Sequence, residues 1–341
     1  MSAPLNTSII YSHDTSPAPG VALPVAPGIE WLCMPLPFAL NHVNLWLLAD
    51  GEAWAAVDTG FALDPVKAAW KSALAERRLS RCIVTHCHPD HLGLAAWLEQ
   101  ETGAGLWMAQ GEYLVAQMIA EQIAGYSIAA MVGFFRRHGL DQARIDGLIA
   151  RGNAYKRGVP NIPATFRRLF DDQVLRIGGH DWRAIVGHGH SPEHMSLYCA
   201  ELGVLISGDM LLPRISTNIS VMASNPQSDP LALFLASIDG FRALPADTLV
   251  LPSHGRPFRG LHARVEQLHA HHAERCKLLL DACRNKPKSA ADLLGVLFDR
   301  ELPDPHQTMF AMGEAIAHLN YLEHAGKLRR VEESGLVRYL S

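Results

Sequence analysis

One run of seven residues constrains the fold of this chain more than any other feature. It spans 85–91 and reads Thr-His-Cys-His-Pro-Asp-His. The hydrophobic run 82–84 precedes it and the apolar stretch 92–98 follows it, so the pattern predicts a strand, a tight turn and the start of a helix. Neutral imidazole and carboxylate are the ligands that borderline divalent cations such as zinc prefer. The turn is therefore predicted to bind metal.

The potential ligands of this turn divide into two pairs. His86 and His88 are two residues apart, so an extended segment points both side chains the same way, where they can bind one ion. Asp90 and His91 fall on the turn into the helix and point elsewhere. One short segment can therefore serve two metal ions. Cys87 faces away from its two neighbours on an extended turn and is not expected to be a ligand.

Further potential ligands occur much later in the chain, each after a short hydrophobic run. His188, His190 and His194 lie in the sequence His-Gly-His-Ser-Pro-Glu-His, Asp209 follows Ser-Gly, and His254 lies in Pro-Ser-His-Gly. Strand ends of a sheet fold meet at one edge, where open sheets usually place their chemistry. Ligands from distant parts of the sequence are therefore expected to converge on one site.

Composition excludes several other classes of protein. A net charge of -4 gives no general attraction to nucleic acid or acidic membranes. The six cysteines are scattered, without disulfide or zinc-finger spacing, which favours a reducing cytoplasm. The N-terminus lacks the pattern of a signal peptide, and no window has the roughly 18 apolar residues that a membrane span needs. We therefore expect a cytoplasmic protein that acts on a small molecule and not on nucleic acid or a membrane.

The pattern of hydrophobic runs divides the chain into four parts. Residues 1–28 are predicted to be an irregular lead-in, and 29–260 a sheet-based catalytic domain with a helical insertion at about 111–165. Residues 261–285 are predicted to form a connecting helix, and 286–341 a small separate module. The insertion is interpreted either as a lid or pocket wall of the metal site or as a packing or dimer surface.

The C-terminal module is predicted to be winged-helix-like, because helices precede a two-stranded hairpin. The helix before the hairpin, 309–323, contains two glutamates and no lysine or arginine, which disfavours DNA binding. Packing or oligomerisation, such as a homodimer, is therefore the favoured role. On the connecting helix, His269 and His272 share a face, and they are interpreted as solvent-exposed because no carboxylate or strand end accompanies them.

The motifs together resemble those of the metallo-β-lactamase fold superfamily. The resemblance covers roughly 29–260 and rests on the order and separation of 58–60, 85–91, 189–192, 207–209 and 253–255. It implies an α/β fold: a four-layer αββα sandwich with a dinuclear metal site at one edge. The weaker resemblance of the C-terminal module is to the tail of some hydrolase branches.

The resemblance also implies which residues bind each metal. One ion would take His86, His88 and His190, and the other Asp90, His91 and His254, with Asp209 as the bridge and Asp58 supporting the site from behind. His190 is preferred over His188 and His194 because it directly precedes Ser-Pro, as the family ligand does. Two divalent ions are expected; zinc is favoured, while the ligand set leaves iron and manganese open.

The implied activity is metal-dependent hydrolysis by a hydroxide that bridges the two metals, with Asp90 as a catalytic residue that holds or moves the proton. Many antibiotic-hydrolysing relatives carry cysteine at the position of Asp209, so β-lactam hydrolysis is disfavoured. A glyoxalase-II-like esterase, thioesterase or lactonase is preferred. The alternatives are a phosphodiesterase or ribonuclease, an iron-dependent persulfide dioxygenase, and a non-catalytic metal-sensing DNA-binding protein.

Overall fold

The protein divides into two compact units in a computed structural model that describes residues 8–38, 40–298, 302 and 304–341. The first unit takes the described residues of Met1–Ala120, Tyr155–Thr217 and Ser237–Val265, and the second those of Glu121–Ala154, Asn218–Ala236 and Glu266–Ser341. The predicted insertion at 111–165 is therefore divided between the two units.

Two large sheets form the body of the first unit. Their strands are β1 (Ile10–Tyr11), β2 (Leu23–Ala26), β3 (Ile29–Pro35), β4 (His42–Asp50), β5 (Ala53–Val57), β6 (Leu79–Ile83), β7 (Leu106–Ala109), β8 (Arg167–Leu169), β9 (Val174–Ile177), β10 (His180–Gly187), β11 (His194–Cys199), β12 (Val204–Gly208), β13 (Leu249–Pro252) and β14 (Phe258–Arg259). One sheet runs from β2 to β8 in chain order, and the other has the order β1-β14-β13-β12-β11-β10-β9.

Helices occur in both units. They are α1 (Asp64–Ala73), α2 (Pro89–Leu92), α3 (Ala95–Thr102), α4 (Gln110–Ala120), α5 (Ile128–Arg137), α6 (Gln142–Arg151), α7 (Ala154–Gly158), α8 (Pro230–Gly240), α9 (Leu261–Ala282), α10 (Leu294–Leu297) and α11 (Pro305–His324). None of them, among the residues that the structure describes, is long and apolar enough to cross a membrane.

The core of the first unit lies between the two sheets. Alternate residues of β4 show how the sequence specifies this: Trp46 and Leu48 face the opposite sheet, where Leu197 and Ile206 are part of the same buried cluster. The intervening Leu45 and Leu47 pack on the other face with residues of α1 and α3. Both faces of the strand are therefore apolar, as expected for a sheet that is covered on both sides.

Most of the potential metal ligands, and Asp58, lie just after the ends of four strands that pair in parallel. β5 pairs in parallel with β6 in one sheet, and β12 with β13 in the other. Asp58 directly follows β5, the metal-ligand turn begins two residues after β6, Asp209 follows β12, and His254 lies two residues after β13. Ligands that are far apart in sequence thus meet because the strands that precede them are neighbours.

The predicted α/β class with two packed sheets is confirmed. Sequence analysis did not identify β7 and β8, which complete one sheet by parallel pairing. Their sequences, Leu-Trp-Met-Ala and Arg-Arg-Leu, are too short to show the alternation by which a half-buried strand is recognised.

In the second unit, α11 and the C-terminal hairpin follow the predicted pattern. Asp304 caps α11 by accepting a hydrogen bond from the backbone N–H of Gln307, at 2.9 Å. The hairpin consists of β15 (Arg329–Glu333) and β16 (Leu336–Leu340), which pair antiparallel. The winged-helix-like character of this module stays a prediction.

The solvent-exposed interpretation of His272 was wrong, because this side chain is buried in the second unit. Its Nδ1 lies 3.1 Å from Nε2 of His318, which is also buried, and Nδ1 of His318 donates to the backbone carbonyl of Glu314 at 2.9 Å. The helical spacing of His269 and His272 could not reveal this, since the partner comes from α11, more than forty residues later.

Because His272 and His318 are buried, we predict that acid destabilises the fold. Burial and the neighbouring His318 lower the pKa of His272 to about 2, and burial lowers the pKa of His318 to about 4. The unfolded chain therefore binds more protons than the folded one below pH 6.5, and stability falls as the pH decreases from about 6.5 to about 4. Each histidine contributes up to about 1.4 kcal/mol per pH unit.

Urea unfolding at pH 7.5 and pH 5 measures this effect. We expect the free energy of unfolding to fall by about 2 kcal/mol or more. In His318→Leu the decrease should be smaller, whereas in His324→Gln, which replaces an exposed histidine of the same helix, it should match the wild type. An equal decrease in all three proteins would contradict the prediction.

Candidate metal centre

One group of potential ligands consists of His86, His88, His190 and Asp209, all in the first unit. The Nε2 atom of His86 lies 2.9 Å from Nδ1 of His88 and 3.2 Å from Nε2 of His190. The Oδ2 atom of Asp209 lies 3.4 Å from Nε2 of His190. Three imidazole nitrogens and one carboxylate oxygen therefore surround a common point.

A second group lies beside the first and consists of Asp90, His91 and His254. The Oδ2 atom of Asp90 is 3.6 Å from Nε2 of His91 and 3.3 Å from Nε2 of His254. The other oxygen of Asp209, Oδ1, is 3.8 Å from Nε2 of His91 and 3.6 Å from Nε2 of His254. Asp209 thus directs one carboxylate oxygen toward each group, which is the geometry of a bridging ligand.

Hydrogen bonds to the other ring nitrogen orient two of these imidazoles. Nδ1 of His91 donates to Oδ2 of Asp58 at 2.8 Å, and Nδ1 of His254 donates to the backbone carbonyl of His42 at 2.9 Å. A proton on Nδ1 leaves the lone pair on Nε2, the atom that faces the site. When neutral, both rings are therefore held in the tautomer that a metal ligand requires.

Asp58 is itself held firmly at the end of β5. Its Oδ1 accepts hydrogen bonds from the backbone N–H of Thr85 at 2.7 Å and from the Thr85 hydroxyl at 3.0 Å. Its backbone has a φ of 64°, in the left-handed region that few non-glycine residues adopt. The side chain therefore connects the first residue of the ligand turn to the ring of His91, which agrees with the supporting role predicted for it.

Unsatisfied polar atoms test whether these residues fit metal ions. Among the described residues, Nε2 of His91 and Oδ1 of Asp209 are buried and make no hydrogen bond. Buried polar atoms normally have a partner, and those without one require an explanation such as an ion. Both atoms face the second group, and the donors are imidazole and carboxylate, so the arrangement fits divalent cations such as zinc or iron.

The two groups differ in their electrostatics. Burial and the neighbouring His190 lower the pKa of His88 to about 3. Burial also tends to lower the pKa of His91, but the carboxylates of Asp90, Asp58 and Asp209 outweigh it and raise that pKa to about 10. Positive charge is thus favoured where the carboxylates meet, and a divalent cation would compete with a proton there.

The remaining members of the two motifs lie outside both groups of ligands. Nε2 of His194 accepts a hydrogen bond from the backbone N–H of Asp209 at 3.0 Å, so this buried ring positions Asp209. Nδ1 of His188 donates to the carbonyl of Pro192 at 2.6 Å. The thiol of Cys87 belongs to neither group. Sequence analysis placed all three outside the ligand set but could not foresee the role of His194, which depends on a contact between strands β11 and β12.

Alanine variants of two nearby histidines test the ligand assignment. His190→Ala should lose about one of two bound metal ions, because it removes one of three imidazoles of the first group. His188→Ala is the matched control and should retain both ions, since its ring bonds only to a backbone carbonyl among the described residues. Elemental analysis of both purified proteins gives the result. Loss of metal from His188→Ala, with both ions retained in His190→Ala, would contradict the assignment.

Comparison with known proteins agrees with the fold and the motifs. The family model "Metallo-beta-lactamase superfamily" matches residues 39–254, and "Metallo-beta-lactamase-like, C-terminal domain" matches residues 276–341. The crystal structure of a beta-lactamase domain protein from Burkholderia ambifaria is 44% identical, with a TM-score of 0.91, over 97% of this chain and 98% of that one.

Two sequence relatives are named as hydrolases. The protein named "Probable metallo-hydrolase YqjP" of Bacillus subtilis is 22% identical over 85% of this chain and 90% of its own length. The hydroxyacylglutathione hydrolase of Albidiferax ferrireducens is 27% identical over 65% of each chain. The family match covers more than half of the chain, and it includes every potential ligand described above. The chain therefore belongs to the metallo-beta-lactamase superfamily and is one of its hydrolases.

Proposed function

We propose that this protein hydrolyses an ester, thioester or lactone of a small molecule at a site that holds two divalent metal ions, with zinc favoured. The observation that carries the proposal is the pair of nitrogen and oxygen ligand groups with Asp209 between them. The similarity to a hydroxyacylglutathione hydrolase supports a thioester as the substrate class. The net charge of -4 does not favour a nucleic acid.

The expected mechanism requires a nucleophile and a stabilised oxyanion. Two cations held by the seven ligands would lower the pKa of a water from about 15.7 toward 7 and polarise the carbonyl of the substrate. The residues of the chain fix where this happens. His91 is held by Asp58, and Asp209 is held by the ring of His194 through its backbone N–H.

Asp90 is the residue proposed to handle the proton. Its side chain is 20% exposed, more than those of Asp209 and His254, which are 11% and 4% exposed. A carboxylate at the open side of the site can accept a proton from the attacking water and deliver it to the leaving thiolate or alkoxide. General acid–base catalysis of this kind contributes typically 10²–10⁴-fold to the rate.

The variant Asp90→Asn tests this role. We expect kcat to fall at least about 100-fold, because the amide removes both the proton acceptor and one ligand charge of the second group. Asp64→Asn is the control, since the Asp64 carboxylate is almost fully exposed on α1. Retention of both metal ions and of full kcat in Asp90→Asn would rule out the proposed role.

A substrate panel tests the function itself. The purified protein should hydrolyse a hydroxyacylglutathione thioester or a small ester or lactone with a higher kcat/KM than a β-lactam or a bis-aryl phosphodiester. Chelation should abolish this activity, and added zinc should restore it. A clear preference for the phosphodiester would contradict the proposal. The proposal would also be contradicted if the purified protein contained mainly iron and consumed oxygen with glutathione persulfide.

A further inference from the structure

Glu112 is a fully buried carboxylate in the first turn of α4. Its Oε2 accepts a hydrogen bond from the backbone N–H of Cys87 at 2.8 Å, and its Oε1 accepts one from the backbone N–H of Glu193 at 2.6 Å. Each oxygen of one side chain therefore bonds to a different chain segment. Neither bond involves an atom of the ligand groups described above.

The two segments that Glu112 connects are those that carry the histidines of the first ligand group. Cys87 lies between His86 and His88, and Glu193 lies three residues after His190. His86 and His88 lie on the turn that follows β6 of one sheet, and His190 lies between β10 and β11 of the other sheet. The carboxylate thus fixes the distance between two loops that must hold three imidazoles around one point.

Further hydrogen bonds hold the same segments in place. The backbone N–H of Gly111 donates to Oε2 of Glu193 at 2.6 Å, so residues 111–112 and Glu193 bond reciprocally. The hydroxyl of Tyr155 donates to the carbonyl of Cys87 at 2.6 Å. Cys87 is therefore held on its N–H side by Glu112 and on its carbonyl side by Tyr155.

The free-energy cost of burying the Glu112 carboxylate indicates that its hydrogen bonds have a role in the metal centre. A buried carboxylate is costly unless it is hydrogen-bonded, and an apolar side chain would fill the same space without that cost. An apolar residue at this position would, however, leave the backbone N–H groups of Cys87 and Glu193 without their acceptor. The carboxylate has two oxygens, so it can satisfy both donors at once and hold the two loops at a fixed separation.

We propose that Glu112 is a positioning residue for the first metal: without touching the ion, it sets the spacing of His86 and His88 relative to His190. The inference rests on the metal centre of the proposed function, but not on the identity of the substrate. Residues behind metal ligands typically change metal affinity by 10–100-fold when they are substituted.

A cobalt(II) titration of the metal-free protein, followed by visible absorption, tests the proposal. In Glu112→Gln an amide NH₂ group replaces one of the two carboxylate oxygens, so a hydrogen-bond donor then faces a backbone N–H, which is also a donor. We expect one cobalt equivalent to bind 10–100-fold more weakly, with a changed d–d spectrum, while the other binds as in the wild type. Glu101→Gln, an exposed glutamate on α3, is the matched control and should bind both equivalents normally.

Two further variants separate geometry from charge and from misfolding. Glu112→Asp keeps the charge but is too short to reach both donors, so it should also weaken one equivalent. Tyr155→Phe keeps Glu112 and removes only the hydroxyl that holds Cys87, and it should weaken the same equivalent several-fold. This variant keeps the test valid if Glu112→Gln does not fold, as judged by circular dichroism.

The outcomes distinguish this inference from the proposed function. Wild-type affinity for both equivalents in Glu112→Gln and Tyr155→Phe would overturn the positioning role, as would equal weakening of both equivalents in either variant. Normal affinity in Glu112→Asp would also overturn it, because charge alone would then be sufficient. No substrate is present in the titration, so a wild-type protein that binds cobalt but hydrolyses no ester, thioester or lactone would contradict only the proposed function.

Discussion

The position of Asp209 between the two groups of potential ligands is the constraint on which the rest of the site depends. One carboxylate oxygen faces His190 and the other faces His91 and His254, so its location determines how far apart the two ligand groups lie. A group of buried ionisable side chains this close together is unfavourable without an ion, because burial raises the free energy of every charged form. The fold must therefore supply rigid positions for these groups, and a divalent cation would supply the charge that makes their proximity favourable.

The two packed sheets supply those positions. The apolar layer between them fixes the strands, and the residues that follow β5, β6, β12 and β13 emerge at the same edge. Support comes from a surrounding layer of hydrogen bonds in which Asp58 orients His91, His194 holds the backbone of Asp209, and Glu112 connects two loops. Each of these side chains is buried, so the geometry of the site is linked to the packing of the core.

Sequence reasoning reached the potential ligands because they occur in short local motifs directly after hydrophobic runs, and the resemblance to the metallo-β-lactamase superfamily implied their division into two groups. It did not reach Glu112, which lies outside those motifs in a stretch of helical periodicity and acts through backbone contacts with residues far away in sequence. His272 was misinterpreted for the same reason: helical spacing shows which residues share a face but not what covers that face. The short strands β7 and β8 depend on their neighbours in the sheet and carry too little pattern of their own.

The number and position of bound metal ions is the quantity that tests the bridging geometry most directly. Anomalous diffraction from crystals of the metal-loaded protein, collected at the absorption edge of the bound metal, would locate each ion. We expect two peaks roughly 3.5–4 Å apart, one among His86, His88 and His190 and the other among Asp90, His91 and His254, with the carboxylate of Asp209 between them. A single peak, or two peaks that share no contact with Asp209, would contradict the dinuclear site.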